Sequence, residues 1–106
     1  MKGLAAMLCV LVIAPAFSDD VALHRYVIER TFPIGALDGL DDATKARVNA
    51  NNASVGVRWI QSFANADKTK TYCIYEGPSE SAIREAALLN KLPVDSVTEV
   101  PVDLAP

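Results

Sequence analysis

Outside an apolar N-terminal run, this chain holds one histidine and one cysteine, His24 and Cys73, among scattered carboxylates. His24 opens the segment LHRYVIERTF (Leu23 to Phe32), which also carries Glu29, while Cys73 and Glu76 share TKTYCIYE (Thr69 to Glu76). Glu99 lies near the C-terminal end, and the pair Asp19-Asp20 precedes the first of these segments. Imidazole, thiolate and carboxylate together are the donor set of a first-row metal such as nickel. No HxxxH, CxxC or HExxH spacing places two of them on one turn, so a metal site has to be assembled from separate elements. The start Asp19-Asp20-Val21-Ala22 lacks the third-position histidine of an amino-terminal nickel or copper site. His24, Glu29 and Glu76 are the candidate metal ligands. The plainer reading makes His24 a surface residue and the glutamates ion-pair partners across strands.

A second group of residues belongs to small-molecule recognition. Arg58, Trp59 and Tyr75, with Glu29, Tyr72 and Glu76 nearby, fall on neighbouring expected strands and are candidates to line a cleft between sheet and helices. Such a cleft binds a ligand or, alternatively, serves an enzyme working through Glu29, Trp59, Tyr75 and Glu76. A general acid or base must have a tuned pKa and sit within hydrogen-bond reach of its substrate. The sequence shows carboxylates without showing tuning, so no catalytic residue is assigned. The aromatic residues are equally explained by core and interface packing. Cys73 has three open fates: a buried apolar residue, an intermolecular bridge, or a metal or redox thiol. A nucleophilic thiol needs a nearby cation or helix start together with exposure. A place between two tyrosines on a strand supplies neither.

These residues must be positioned by a chain of 106 residues, the length of one domain. Residues 1–18 have the layout of a secretory signal peptide: a basic start, the apolar run Gly3 to Phe17, then Ala16-Phe17-Ser18 before an acidic pair. Cleavage is expected between Ser18 and Asp19, leaving a domain over residues 19–106 and a periplasmic or secreted protein. The apolar run falls short of the roughly 20 residues that span a bilayer, so no lasting membrane association is expected after cleavage. A retained anchor is the alternative. Cleavage removes Cys9, leaving Cys73 without an intramolecular partner. It also removes Lys2 and no acid, so the formal charge of −3 becomes more negative. An acidic balance argues against a nucleic-acid partner, which needs a basic face.

The expected elements follow from punctuation and periodicity. Leu23 to Phe32 reads as a first strand, ended by Pro33 and Gly35. Asp41 or Asp42 caps a helix on which Ala43, Ala46, Ala50 and Ala53 form a small-residue seam toward the sheet, with Gly56 as its stop. Val57 to Ala64 and Thr69 to Glu76 form a hairpin about the turn Asn65 to Lys68. Ser79 caps a second helix whose buried stripe is Ala82, Ile83, Ala86 and Leu89, with Ala87 at its edge. Ser96 to Val102 is a last strand, with Pro101 at an edge. The sequon Asn52-Ala53-Ser54 falls within the first helix. The order is that of an α+β ferredoxin-like βαββαβ sandwich: a four-stranded antiparallel sheet with two helices on one face. Simple alternation puts Val57, Trp59 and Phe63 on one side of their strand, Arg58, Ile60 and Ser62 on the other. Both faces then carry large apolar residues, and the uncovered face is expected to meet a second copy of the chain as a homodimer.

Four blocks in order, RYVIERTFP (Arg25 to Pro33), GVRWIQSF (Gly56 to Phe63), KTYCIYEGPSESAIREAA (Lys70 to Ala87) and LPVDSVTEV (Leu92 to Val100), carry a family resemblance. The chain resembles a family of small bacterial proteins, of unknown or nickel-related function, whose best-described type is an actinobacterial nickel-binding protein with a dimeric ferredoxin-like fold. The resemblance implies that fold, a homodimer and possible use of nickel. Many relatives carry histidine where this chain has Gln61, and some where it has Ala86, so a site of that kind is weakened here. The expectation is therefore an exported, non-catalytic domain that binds a metal ion, nickel being the first candidate, or a small ligand. The alternatives are a small-molecule enzyme of unassigned reaction and a purely structural or interaction dimer.

Overall fold

The structure is a computed structural model that describes residues 22–106. The expected leader over 1–18, Cys9, the Ser18 and Asp19 cleavage pair and Asp20 lie outside the described residues. The elements are β1 (His24–Thr31), α1 (Asp42–Ala53), β2 (Arg58–Ala64), β3 (Lys70–Gly77), α2 (Glu80–Leu89) and β4 (Ser96–Glu99). The sheet order is β2-β3-β1-β4, every neighbouring pair antiparallel. This is the expected ferredoxin-like βαββαβ arrangement. Among the described residues no helix is long and apolar enough to cross a membrane.

The central strands alternate as a half-covered sheet should. Tyr26, Ile28 and Arg30 of β1 and Thr71, Cys73, Tyr75 and Gly77 of β3 are buried on the helix face. Val27, Glu29, Tyr72, Ile74 and Glu76 lie on the other, open face. β2 breaks the rule. A β-bulge at Ile60 shifts the pairing between Trp59, opposite Tyr75, and Gln61, opposite Ile74. Beyond it Ser62 faces Cys73 on the helix side, and Phe63 faces Tyr72 on the open side. Phe63 therefore leaves the side of Trp59 to which simple alternation assigned it, and Ser62 replaces it there.

The helices begin where expected. Thr44 N–H donates to Asp41 Oδ1 at 2.8 Å, making Asp41 the cap of α1, and Ala82 N–H donates to Ser79 Oγ at 3.1 Å. The α1 seam is corrected: Ala43, Ala46, Ala50 and Ala53 are exposed, while Thr44, Val48, Asn51 and Asn52 turn inward. A face with one aliphatic residue buries little apolar area, and Asn52 is its single fully buried side chain. Asn90 Nδ2 donates to Asn52 Oδ1 and Asn51 Nδ2 to Asn90 Oδ1, both at 2.9 Å, stitching α1 to α2. Burial of Asn52 removes its sequon from the surface that glycosylation requires. Gly56, at φ 76°, turns the chain into β2 in the left-handed region that glycine tolerates.

On α2 the buried set is Ala82, Ile83, Ala86 and Ala87; Leu89 is 45% exposed. The reason is angular. At about 100° per residue, Leu89 lies well off the Ile83 direction, while Ala86, Ala87 and Asn90 return to it. α2 sits close on the sheet at Gly77, where an added Cβ would stand 3.1 Å from both Ile83 Cδ1 and Val57 Cγ2. Both neighbours are 1% exposed and have nowhere to move. Gly77→Ala is expected to cost about 1–2 kcal/mol by overpacking, measured by urea unfolding. A variant as stable as the parent would show that α2 can lift off the sheet.

β4 is shorter than expected. It ends at Glu99, and one further backbone bond, Val100 N–H to Arg25 C=O at 2.9 Å, completes the pairing before Pro101, which has no N–H to give.

Candidate functional site

Between α1 and the helix face of the sheet lies a cleft of about 540 Å³. It exists because α1 presents little more than Val48 to the sheet along its first turns. Its wall is built by β2 and β3. The bulge at Ile60 brings Trp59 and Ser62 to the same side, and the indole N–H of Trp59 donates to Ser62 Oγ at 2.8 Å. That bond fixes the ring against the cleft. Tyr75 and Cys73 form the floor, 3% and 5% exposed, with Thr71 beside them. The Cys73 thiol reaches Thr71 Oγ1 at 3.5 Å, and its burial bears out the first of its three fates.

At the inner end is Arg30, only 2% exposed. Its Nη1 donates to the Pro93 carbonyl at 2.8 Å, and its guanidinium lies 5.6 Å from the centre of the Tyr75 ring. Burial pushes the Tyr75 phenol above the usual tyrosine range, and the Arg30 charge works against that rise. Lys45 and Lys68 stand at the rim. Among the described residues no aspartate, glutamate or histidine lines the cleft.

The residues singled out from sequence divide between places. Trp59 and Tyr75 meet in the cleft. Arg58 does not join them: it lies on the open face, where its Nη1 is 3.1 Å from Glu76 Oε1. Glu29 is on the open face as well, toward the other end of β1, 3.7 Å from Lys70 Nζ and accepting from the Ser96 hydroxyl at 3.2 Å. Lys70 also pairs with Asp95 at 3.1 Å. Hydrogen bonds from Thr31 and then Lys70 hold the Asp95 carboxyl below its ordinary value, and the Asp95 bond holds Lys70 above its own. His24 takes the helix-side parity, and its Nδ1 lies 2.9 Å from Glu99 Oε2. His24, Glu76 and Glu99 border one depression of about 280 Å³ at the strand ends, and Glu29 is absent from it. Among the described residues no three of His, Cys, Asp and Glu are grouped so as to hold a metal ion. The carboxylates proposed for an enzyme cleft, Glu29 and Glu76, are separated by the sheet from Trp59 and Tyr75.

Arg30 is the site residue that sequence reading missed. The signal was present: Arg30 shares its parity with Tyr26 and Ile28, which places all three beneath the helices.

The family described as nickel responsive protein SCO4226-like matches residues 26–100. The chain belongs to that family. The match spans all six elements from the third residue of β1 to the residue after β4. Among solved structures, that of SCO4226 from Streptomyces coelicolor A3(2) is similar at a TM-score of 0.64 and 21% identity, covering 76% of this chain and 99% of that one. At that identity the likeness concerns the fold. No protein of curated function matches the chain significantly. The family resemblance read from the four sequence blocks is thereby borne out.

Proposed function

We propose that this member of the nickel responsive family is an exported, dimeric, non-catalytic binding protein whose small ligand enters the cleft beneath α1. One observation carries the reading. A cleft of about 540 Å³ with aromatic and aliphatic walls and a few convergent polar groups has the size and lining of ligand pockets, which run about 300–1,000 Å³. The absence of carboxylate and imidazole from its lining leaves no ordinary general acid–base pair at the ligand, which favours binding over turnover.

Trp59 is the one tryptophan of the chain and lines the cleft, so its emission reports occupancy. Titration with octanol, a neutral apolar probe, is expected to change Trp59 emission saturably. Val48→Phe, which fills the gap left by α1, should weaken that response by about tenfold. An emission that does not saturate, or a Val48→Phe protein that responds unchanged, would overturn the reading.

Nickel is the group that the family description implies, and the described residues of one chain do not fit it. His24 is engaged with Glu99, and Glu29 and Glu76 with lysine and arginine. Of the two positions where relatives carry histidine, Ala86 is buried in the core at 1% exposure and Gln61 is a poor nickel donor. Calorimetric titration with nickel, with His24→Ala alongside, is expected to show no saturable binding. Tight binding lost in His24→Ala would contradict this and return the metal to the strand ends.

A further inference from the structure

The charges around the cleft are one-sided. Among the described residues three cations, Arg30, Lys45 and Lys68, line it and no carboxylate does, although the protein as a whole carries a formal charge of −3. Among the described residues none of the three takes part in an ion pair. For the exposed lysines that is unremarkable. For Arg30 it is not, because an arginine buried to 2% exposure is ordinarily paired. Arg30 Nη1 donates to the Pro93 carbonyl, and the Tyr75 phenol is a second hydrogen-bond partner. Both partners are neutral, so the buried guanidinium carries its charge without a carboxylate to balance it among the described residues. It also lines the cleft. A planar guanidinium without a charged partner, at the end of an apolar passage, suits the two oxygens of a carboxylate.

We propose that the ligand of this cleft is an apolar molecule with a single carboxylate head, which accepts hydrogen bonds from Arg30 while its apolar body lies against Trp59 and Val48. Lys45 and Lys68 draw the anion toward the mouth, an effect that weakens with salt. The carboxylate cancels the buried charge that only the neutral Pro93 carbonyl and Tyr75 now offset. This assignment rests on the ligand-binding reading of the cleft, and its test separates the two.

The probes are octanoate and its neutral isostere octanamide, titrated calorimetrically into the purified protein at pH 7, where octanoate is ionised. Octanoate is expected to bind about tenfold or more tightly than octanamide, the worth of a hydrogen-bonded charge pair. Arg30→Met should erase the preference of octanoate over octanamide. Because loss of a buried arginine can harm folding, Lys45→Met/Lys68→Met, at two exposed positions, provides a second variant. It should lower the octanoate preference severalfold and flatten its salt dependence. Equal binding of the two probes to the parent protein would overturn the carboxylate assignment while the cleft stands as a neutral apolar site. Binding of neither would overturn the cleft itself. A preference that survives unchanged in both variants would place the carboxylate elsewhere.

Discussion

Ile83→Ala is expected to lower the free energy of unfolding by about 3 kcal/mol. Ile83 is 1% exposed and projects from α2 onto the sheet, touching the place where Gly77 leaves room for it. The helix has no second large aliphatic residue facing inward: its other buried positions are Ala82, Ala86 and Ala87. The cavity left by truncation cannot be refilled by neighbouring alanines, so the loss includes both transfer and cavity terms. α1 offers no reserve, since it faces the sheet with Val48 and is tied to α2 by an asparagine network. In a domain whose total stability is about 5–15 kcal/mol, this single change removes a large share. Leu88→Ala on the same helix, at a position 78% exposed, should change stability by less than about 0.5 kcal/mol. Urea unfolding of both variants measures the difference. Equal effects would mean that α2 is not the element that closes the core.

If the proposed dimer forms through the open face of the sheet, Tyr72→Lys is expected to weaken self-association by about a hundredfold or more. On the open face, Val27, Tyr72, Ile74 and Phe63 form an apolar centre, Tyr72 being 43% and Phe63 59% exposed. Charged pairs rim it, Arg58 with Glu76 at one end and Lys70 with Glu29 and Asp95 at the other. An apolar centre within a polar rim is the usual anatomy of a protein interface, and a second copy of the same face is the occupant proposed. Lysine is chosen because Tyr72 lies opposite Glu29 in the β1–β3 register. The new charge is therefore accommodated in the monomer and buried only in the dimer. Sedimentation velocity should show a dimer for the parent and a monomer for the variant. A parent protein that sediments as a monomer at about 100 μM would remove the dimer from the proposal.

How far the residues announced this arrangement depends on which physical rule governed each. The strand order, the start of both helices and the burial of Cys73 were legible because they follow from local signals: alternation in β1 and β3, Asp41 or Asp42 and Ser79 before helical runs, and a turn at Asn65 to Lys68. The face of Phe63 was not, since a bulge at Ile60 is decided by how β2 settles against β3 rather than by residue types. The alanine seam failed for a related reason. Alanine tolerates either side of a helix, and the asparagines of α1 turned inward because Asn90 on α2 was there to bond them. Of the candidate metal ligands, Glu29 takes the parity opposite to His24 and lies toward the other end of β1, whereas Glu76 borders the His24 depression at the strand ends. Arg30 shows the reverse case. Its parity was readable, but its significance depended on the absence of an acid nearby, which is a property of the assembled site.

A ligand of this protein is expected to reside in the cleft beneath α1. Chemical-shift mapping on isotope-labelled protein titrated with octanol asks this residue by residue. The prediction is saturable shifts at the Trp59 indole N–H and at the backbone of Val48, Thr71 and Cys73, with His24, Glu99, Arg58 and Glu76 unmoved. Shifts confined to Tyr72 and Ile74 on the open face, or none that saturate, would contradict it.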